Sequence, residues 1–205
     1  MFSKDPLLTL NSSTHSPHQI IPLEIKAHKT VLDLGCNTGM LGKVLFKRNI
    51  LDGVDINSKA LLRAKPYYRH LYQIDLSNAD NLNIKGKYDY IVLSDILEHL
   101  PRPDTLLKKI RRLLNKNGVI ICSLPNIARL EIRLQLLFGK FDYTKSGILN
   151  SDHLRFFTRK SAQELLNDSG FQVIKIIPTG FAHRLNILSS LTAFQFVYLA
   201  IKNHE

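Results

Sequence analysis

The chain has 205 residues, 44% hydrophobic and 22% charged, with 2 cysteines and a formal net charge of +11. That is long enough for one domain with a substantial core, and the composition excludes disordered, fibrous and disulfide-scaffold classes. Cys36 and Cys122 lie far apart in apolar segments and make no metal framework, so a reduced, cytoplasmic protein is expected.

Residues 1–17 read as a polar arm, not a signal peptide, because Asp5 and Pro6 come early and no continuous apolar run precedes the Asn/Ser/His-rich stretch. A helix is expected over His18–Ala27, then a buried strand over Thr30–Leu34. Met40, Leu41, Val44 and Leu45 have helical spacing. Leu51–Ile56 reads as a second strand, Ser58–Lys65 as a helix stopped by Pro66, and Leu71–Leu76 as a third strand. Tyr88–Leu93 is nearly all apolar, as a strand covered on both faces should be. Asp104 is expected to cap a helix with Leu106, Leu107, Ile110, Leu113 and Leu114 inward, ended by Asn117-Gly118. Val119–Leu124 is the fifth strand. Thr158 caps a helix ending at Gly170, and Phe171–Ile177 and Phe194–Lys202 are the last two strands. The uncharged run Leu185–Ile201 contains Asn186, Ser189, Ser190, Thr192 and Gln195, and reads as a helix and a strand rather than a membrane span. Alternating strands and helices predict a doubly wound α/β sheet, interrupted by an insertion over 126–157 that is expected to cap the site.

Ligands of such sheets sit beyond the carboxyl ends of the strands. The first loop reads Asp33-Leu34-Gly35-Cys36-Asn37-Thr38-Gly39. Glycines let the backbone turn and approach a ligand, a device that nicotinamide enzymes share. Asp33 discriminates, since a carboxylate there opposes a pyrophosphate but suits a cationic amino group. The spacing also departs from G-x-G-x-x-G, with Asn37 at the middle position. Asp55 ends the second strand and suits a ribose diol, while Asp75 ends the third and suits an adenine amino group, with the backbone of Leu76 at the ring. One such aspartate is usually a cap or turn residue, but three in series point to a nucleoside ligand with a cationic end.

These segments, with Val54-Asp55, Ile74-Asp75 and Tyr88 through Leu100, resemble the successive motifs of class I S-adenosylmethionine (SAM)-dependent methyltransferases. The resemblance runs from Thr30 onward. It implies a Rossmann-like seven-stranded sheet with the last strand antiparallel, SAM as cofactor and S-adenosylhomocysteine as product. It further implies cofactor contacts from Asp33, Gly35, Cys36, Asn37, Gly39, Asp55, Ile56, Asp75, Leu76 and Ser94. Asp95–His99 is similar to the ubiquinone-biosynthesis O-methyltransferase group. Pro125–Tyr143 and Asp152–Thr158 resemble methionine-biosynthesis W-type proteins and methyltransferases of surface-polysaccharide assembly.

Methyl transfer from a sulfonium needs a positioned nucleophile, and a hydroxyl nucleophile benefits from a base. His99 and His153 are the candidates, each with an alternative packing role. Glu98-His99 offers two metal ligands, but no third appears at a clear spacing, so no metal is expected. In the insertion, Ile127, Leu130, Leu134 and Leu137 share one helical face, read as packing on the domain, as a substrate lid or as a contact with a membrane surface. Arg129, Arg133 and Arg155 are candidates to hold an anionic group of a small-molecule or glycan acceptor. The net charge also raises a nucleic-acid methyltransferase, but Ser94-Asp95-Ile96-Leu97 stands where the Asn/Asp-Pro-Pro-Tyr motif of amino methylation would be, so no nucleic acid is expected. A non-enzymatic SAM-binding partner protein is the other alternative. The oligomeric state is left open.

Overall fold

The computed structural model describes residues 16–78, 82–180 and 188–203; positions 1–15 of the expected arm lie outside the described residues, and its last residue, Pro17, instead opens the first helix behind Ser16 at the N-cap. The elements, in order, are α1 (Pro17–Glu24), β1 (Thr30–Leu34), α2 (Met40–Leu45), β2 (Ile50–Asp55), α3 (Ser58–Ala64), β3 (His70–Gln73) and β4 (Tyr88–Ser94). They continue with α4 (Pro103–Arg111), β5 (Leu114–Pro125), α5 (Leu130–Leu137), α6 (Arg159–Asp168), β6 (Phe171–Pro178), α7 (Ser189–Thr192) and β7 (Gln195–Lys202).

All seven strands join one sheet in the order β3-β2-β1-β4-β5-β7-β6. The β1–β2, β1–β4, β2–β3 and β4–β5 pairs are parallel, and β7 runs antiparallel to both β5 and β6. The chain winds from β1 outward through β2 and β3, then returns to β4 on the other side of β1. That reversal opens a crevice above the carboxyl ends of β1 and β4. Alternation along the strands divides the core between the two faces. Leu32, Leu34, Ile91 and Leu93 pack with α4 and α6 residues such as Leu106, Ile110 and Leu166. Val31, Tyr90 and Val92 pack with Ile20, Ile21 and Leu45 from α1 and α2.

Three expectations need correction. β3 stops at Gln73, so Asp75 stands in the following loop rather than at the strand end. Arg102, not Asp104, occupies the N-cap of α4; Pro103 fills N1, where a missing N–H costs nothing, and Asp104 sits in the first turn. Asn117-Gly118 does not end α4 but lies within β5, which begins at Leu114. Thr158 does cap α6, accepting the Ser161 amide at 3.1 Å.

The insertion is pinned at its base by a bridge between Asn126 and Phe157. Its own small core is Ile132, Ile148 and Leu149, with Ile127 and Phe156 against it. The inward residue of α5 is thus Ile132, whereas Leu130, Leu134, Leu136 and Leu137 are exposed, which corrects the expected apolar face. Among the described residues no helix is long and apolar enough to cross a membrane. The described part of the run Leu185–Ile201 forms α7 and β7, as the helix-then-strand reading requires.

Candidate active site

The loop after β1 turns through three left-handed residues: Gly35 at φ 78°, Asn37 at 46° and Gly39 at 85°. At Gly35 a Cβ would stand 2.1 Å from Ile96 Cδ1, so any side chain there would also displace the Ile96 side chain. Asn37 departs from the usual glycine without breaking the turn, since asparagine tolerates the left-handed region better than most residues. Above the loop lies a cavity of about 360 Å³ whose walls include Asp33, Gly35, Cys36, Asn37, Asp55 and Ser94. A second cavity, about 230 Å³, is lined by Asp55, Ile56, Asp75, Leu76 and His99. Gly35, Asp55 and Ile96 belong to both walls, so the two form one trough along the ends of β1, β2 and β4.

Asp33 is buried, and burial pushes its carboxyl up to about 6, opposed by the Tyr68 hydroxyl and aided by the Asp55 charge. Tyr68 donates to Asp33 Oδ2 at 2.6 Å and accepts the Gly42 amide at 3.0 Å, tying the carboxylate to α2. Asp55 accepts the Asn37 amide at 2.8 Å through one oxygen and the Asn57 amide at 2.9 Å through the other. These bonds fix the carboxylate's plane, and each oxygen retains a second lone pair for a ligand hydroxyl. Asp75 Oδ1 accepts the Ser77 amide at 2.9 Å, which holds the loop after β3 in a turn.

Beyond Asp75 the trough reaches a 3-10 turn, Leu97–His99. His99 lines the second cavity, and its Nδ1 lies 3.0 Å from the Asp152 carbonyl. His153 is buried, with Nδ1 3.0 Å from the Ile148 carbonyl, and its ring packs edge-on against His99 at 4.8 Å between centroids. Burial lowers the His153 imidazole below its ordinary value. Glu98 is only 1% exposed; its carboxyl is pushed up to about 8 by burial and by the neighbouring Asp95. Among the described residues, neither Glu98 oxygen meets a hydrogen-bond donor. The amides of Leu154 and Arg155 both donate to the Glu98 carbonyl, at 2.9 and 3.0 Å, so the insertion is bonded to this turn.

The three arginines do not line either cavity. Arg129 pairs with Glu131 at 2.9 Å and lies over the Phe194 ring. Arg133 donates to the Ala128 carbonyl at 2.6 Å, and Arg155 to the Pro101 carbonyl at 2.6 Å.

Residues 15–176 match a protein family described as a methyltransferase domain. The chain belongs to that family and has the fold of SAM-dependent methyltransferases. SAM is the cofactor that its sequence motifs imply. Among curated relatives, the ubiquinone biosynthesis O-methyltransferase of Azoarcus sp. (strain BH72) is 27% identical over 177 residues, covering 75% of each chain. The enzyme of that name from Thiobacillus denitrificans is 28% identical over 162 residues, 66% of this chain and 68% of the relative. Across such relatives the matched stretch spans between 46% and 75% of their length. A SAM-dependent methyltransferase from Methanosarcina mazei superposes with a TM-score of 0.64 at 21% identity, covering 93% of this chain and 99% of that one. The magnesium protoporphyrin IX methyltransferase of Synechocystis, crystallised with S-adenosylhomocysteine, gives 0.61 at 18% identity, covering 86% and 75%. Both likenesses are of fold.

The trough of this methyltransferase fits the cofactor chemically. It offers a carboxylate at one end, a loop without a Cβ at Gly35, an oriented acid in the middle and the apolar walls Ile56, Ile74 and Leu76 beside Asp75. The expectation of no metal rested on the want of a third ligand by spacing. The fold supplies one, since Glu98, His99 and His153 offer ligand atoms that all lie within 4.8 Å of one another. Three wall or support residues were not legible as such. His18 enters the first cavity from α1, and Tyr68 acts only through Asp33. Asp95, at φ 55°, accepts from Ser123 at 2.9 Å and Gln195 at 2.6 Å. A strained non-glycine residue at a ligand cavity marks a functional position, and only its place in the Ser94–Leu100 motif pointed to it.

Proposed function

We propose that this methyltransferase transfers the SAM methyl group to a hydroxyl of a small-molecule or glycan acceptor seated at the His99 end of the trough. One observation carries the reading: Asp33, Asp55 and Asp75 succeed one another along a single trough, and His99 closes it at the far end. In this reading Asp33 faces the cofactor's ammonium, Asp55 the ribose diol, and Asp75 with Leu76 the adenine. Gly35, Cys36, Asn37, Gly39, Ile56 and Ser94 shape the remaining contacts. SAM supplies an activated methyl and a neutral leaving group, so the protein's contribution is alignment and exclusion of water. His99 is the ionisable side chain that meets the acceptor, and His153 supports it from the insertion.

Oxygen as the acceptor atom is supported by the names of the relatives, O-methyltransferases of ubiquinone biosynthesis. Of the arginines, Arg155 is best placed to hold an anionic group, because its main chain is bonded to Glu98 beside His99. The exposed Leu130, Leu134, Leu137 and Phe138, next to Arg129, Arg133 and Lys140, support peripheral contact with an anionic membrane. Two buried free thiols suit the reducing cytoplasm.

Methyl-labelled SAM, offered with a panel of phenols, catechols and nucleotide sugars, tests the reading. Label should appear on a hydroxyl, and His99→Ala should lower kcat about 100-fold, the usual worth of a group acting on the transferred proton. Labelling confined to amines or nucleic acid would refute it. Tight SAM binding with no transfer to any acceptor would favour a non-enzymatic partner protein.

A further inference from the structure

We propose that Glu98, His99 and His153 bind one first-row divalent transition-metal ion at the acceptor end of the trough. A ligand atom from each of the three lies within 4.8 Å of the other two. Glu98 and His99 come from the turn after β4, and His153 comes from the insertion more than fifty positions later, so no sequence spacing reveals the trio.

The state of each ligand supports a cation more than a hydrogen-bond network. Glu98 is buried, yet both of its oxygens lack a donor among the described residues, although two imidazoles stand beside it. A buried carboxylate without partners is costly, and a bound cation removes that cost. Each imidazole keeps Nδ1 against a main-chain carbonyl at 3.0 Å, Asp152 for His99 and Ile148 for His153. Those carbonyls hold the ring proton on Nδ1 and leave Nε2 as a lone-pair donor, the outer-shell arrangement typical of ligating histidines. Around an ion with bonds of about 2.0–2.1 Å, tetrahedral ligands stand roughly 3.4 Å apart.

Donor chemistry selects the ion. Two nitrogens and one carboxylate suit Zn²⁺, Mn²⁺ or Fe²⁺, whereas Mg²⁺ and Ca²⁺ prefer all-oxygen sets. Three protein ligands leave coordination positions free, and His99 lines the trough, so those positions face the acceptor's place. Coordination there would seat the acceptor oxygen and favour its deprotonated form, so that His99 acts on the proton through the ion rather than as a free base; this use of the ion rests on the hydroxyl-acceptor reading above. The ion would also staple the insertion to the sheet, adding to the amide bonds from Leu154 and Arg155 to Glu98.

The test uses the full chain, stripped with a chelator and titrated calorimetrically with Zn²⁺, Mn²⁺ and Mg²⁺ in the absence of SAM. One transition-metal ion per chain is expected, with Mg²⁺ at least about ten-fold weaker. Glu98→Gln and His153→Ala should each weaken binding about 100-fold or more. Both should keep wild-type SAM affinity, which separates the ion site from the cofactor site. Melting curves check that the variants fold; if one does not, the other decides, and loss of the Co²⁺ ligand-field spectrum in His99→Gln gives a third reading. Absence of a stoichiometric ion in the wild type, or wild-type affinity in the folded variants, would overturn the site. If the stripped protein methylates a hydroxyl as fast as the reloaded one, the role toward the acceptor is refuted while the ion site stands.

Discussion

Asp33 is held under opposing demands. In the proposed binding mode the cofactor's ammonium calls for a carboxylate, yet burial favours the neutral acid and moves its titration to about 6. The sign follows from linkage: the folded value lies above the ordinary 3.8, so the folded chain holds a proton that the unfolded chain has lost between those two pH values. Stability therefore declines as pH rises from about 4 to about 6 and is lower by about 3 kcal/mol above that window, an order-of-magnitude cost at one pKa unit per 1.4 kcal/mol. Asp33→Asn should accordingly raise the melting temperature of the cofactor-free protein at neutral pH while sharply weakening SAM binding. Unchanged stability and unchanged affinity together would remove Asp33 from this role. SAM affinity of the wild type should also fall as pH drops through about 6, and Tyr68→Phe should move that midpoint upward, because the hydroxyl's hydrogen bond lowers the Asp33 value. A pH profile of SAM affinity in the two proteins checks both statements.

At the scale of elements, periodicity located every strand and most helices, because the central strands β1, β4 and β5 carry apolar runs covered on both faces and the breaks fall at glycines, prolines or polar turns. The same reasoning misassigned α5. Its leucines recur at helical spacing, but the domain core is already filled by α4 and α6 on one face and α1 and α2 on the other. Only Ile132 turns inward, onto the insertion's own Ile148 and Leu149. The end of β3 was misplaced because Ile74 is apolar and continues the pattern, although the ladder to β2 stops at Gln73. The insertion's two parts predict a graded response in hydrogen exchange. The amides of Leu154 and Arg155, bonded to the Glu98 carbonyl, and of Ile127, bonded to the Phe157 carbonyl at the base of the insertion, should be protected throughout. Those of 130–143 should gain protection only with cofactor and acceptor present. Uniform core-level protection of the whole insertion would show a rigid structural insert. The exposed apolar end of α5 predicts that Leu137→Asp with Phe138→Ser lowers binding to anionic lipid vesicles several-fold, measured by flotation, without changing SAM affinity. Equal flotation would dismiss the membrane contact.

For the whole molecule, the winding order sets the trough, because β1 and β4 diverge in connection at the centre of the sheet and the loops after β1, β2 and β3 must pass over the same edge. Acids at or just beyond the ends of β1, β2 and β3 were therefore readable as neighbours along one trough before any geometry was known. The cluster of Glu98, His99 and His153 was not, because it depends on where the insertion folds back over that edge. The cofactor site is the centre of the account, and calorimetric titration of SAM into wild type and Asp55→Ala tests it most directly. One SAM should bind per wild-type chain, and the variant should bind about 10- to 100-fold more weakly, corresponding to roughly 1.5–3 kcal/mol for hydrogen bonds to a charged group. No binding to the wild type, or equal affinity in the two proteins, would contradict the account.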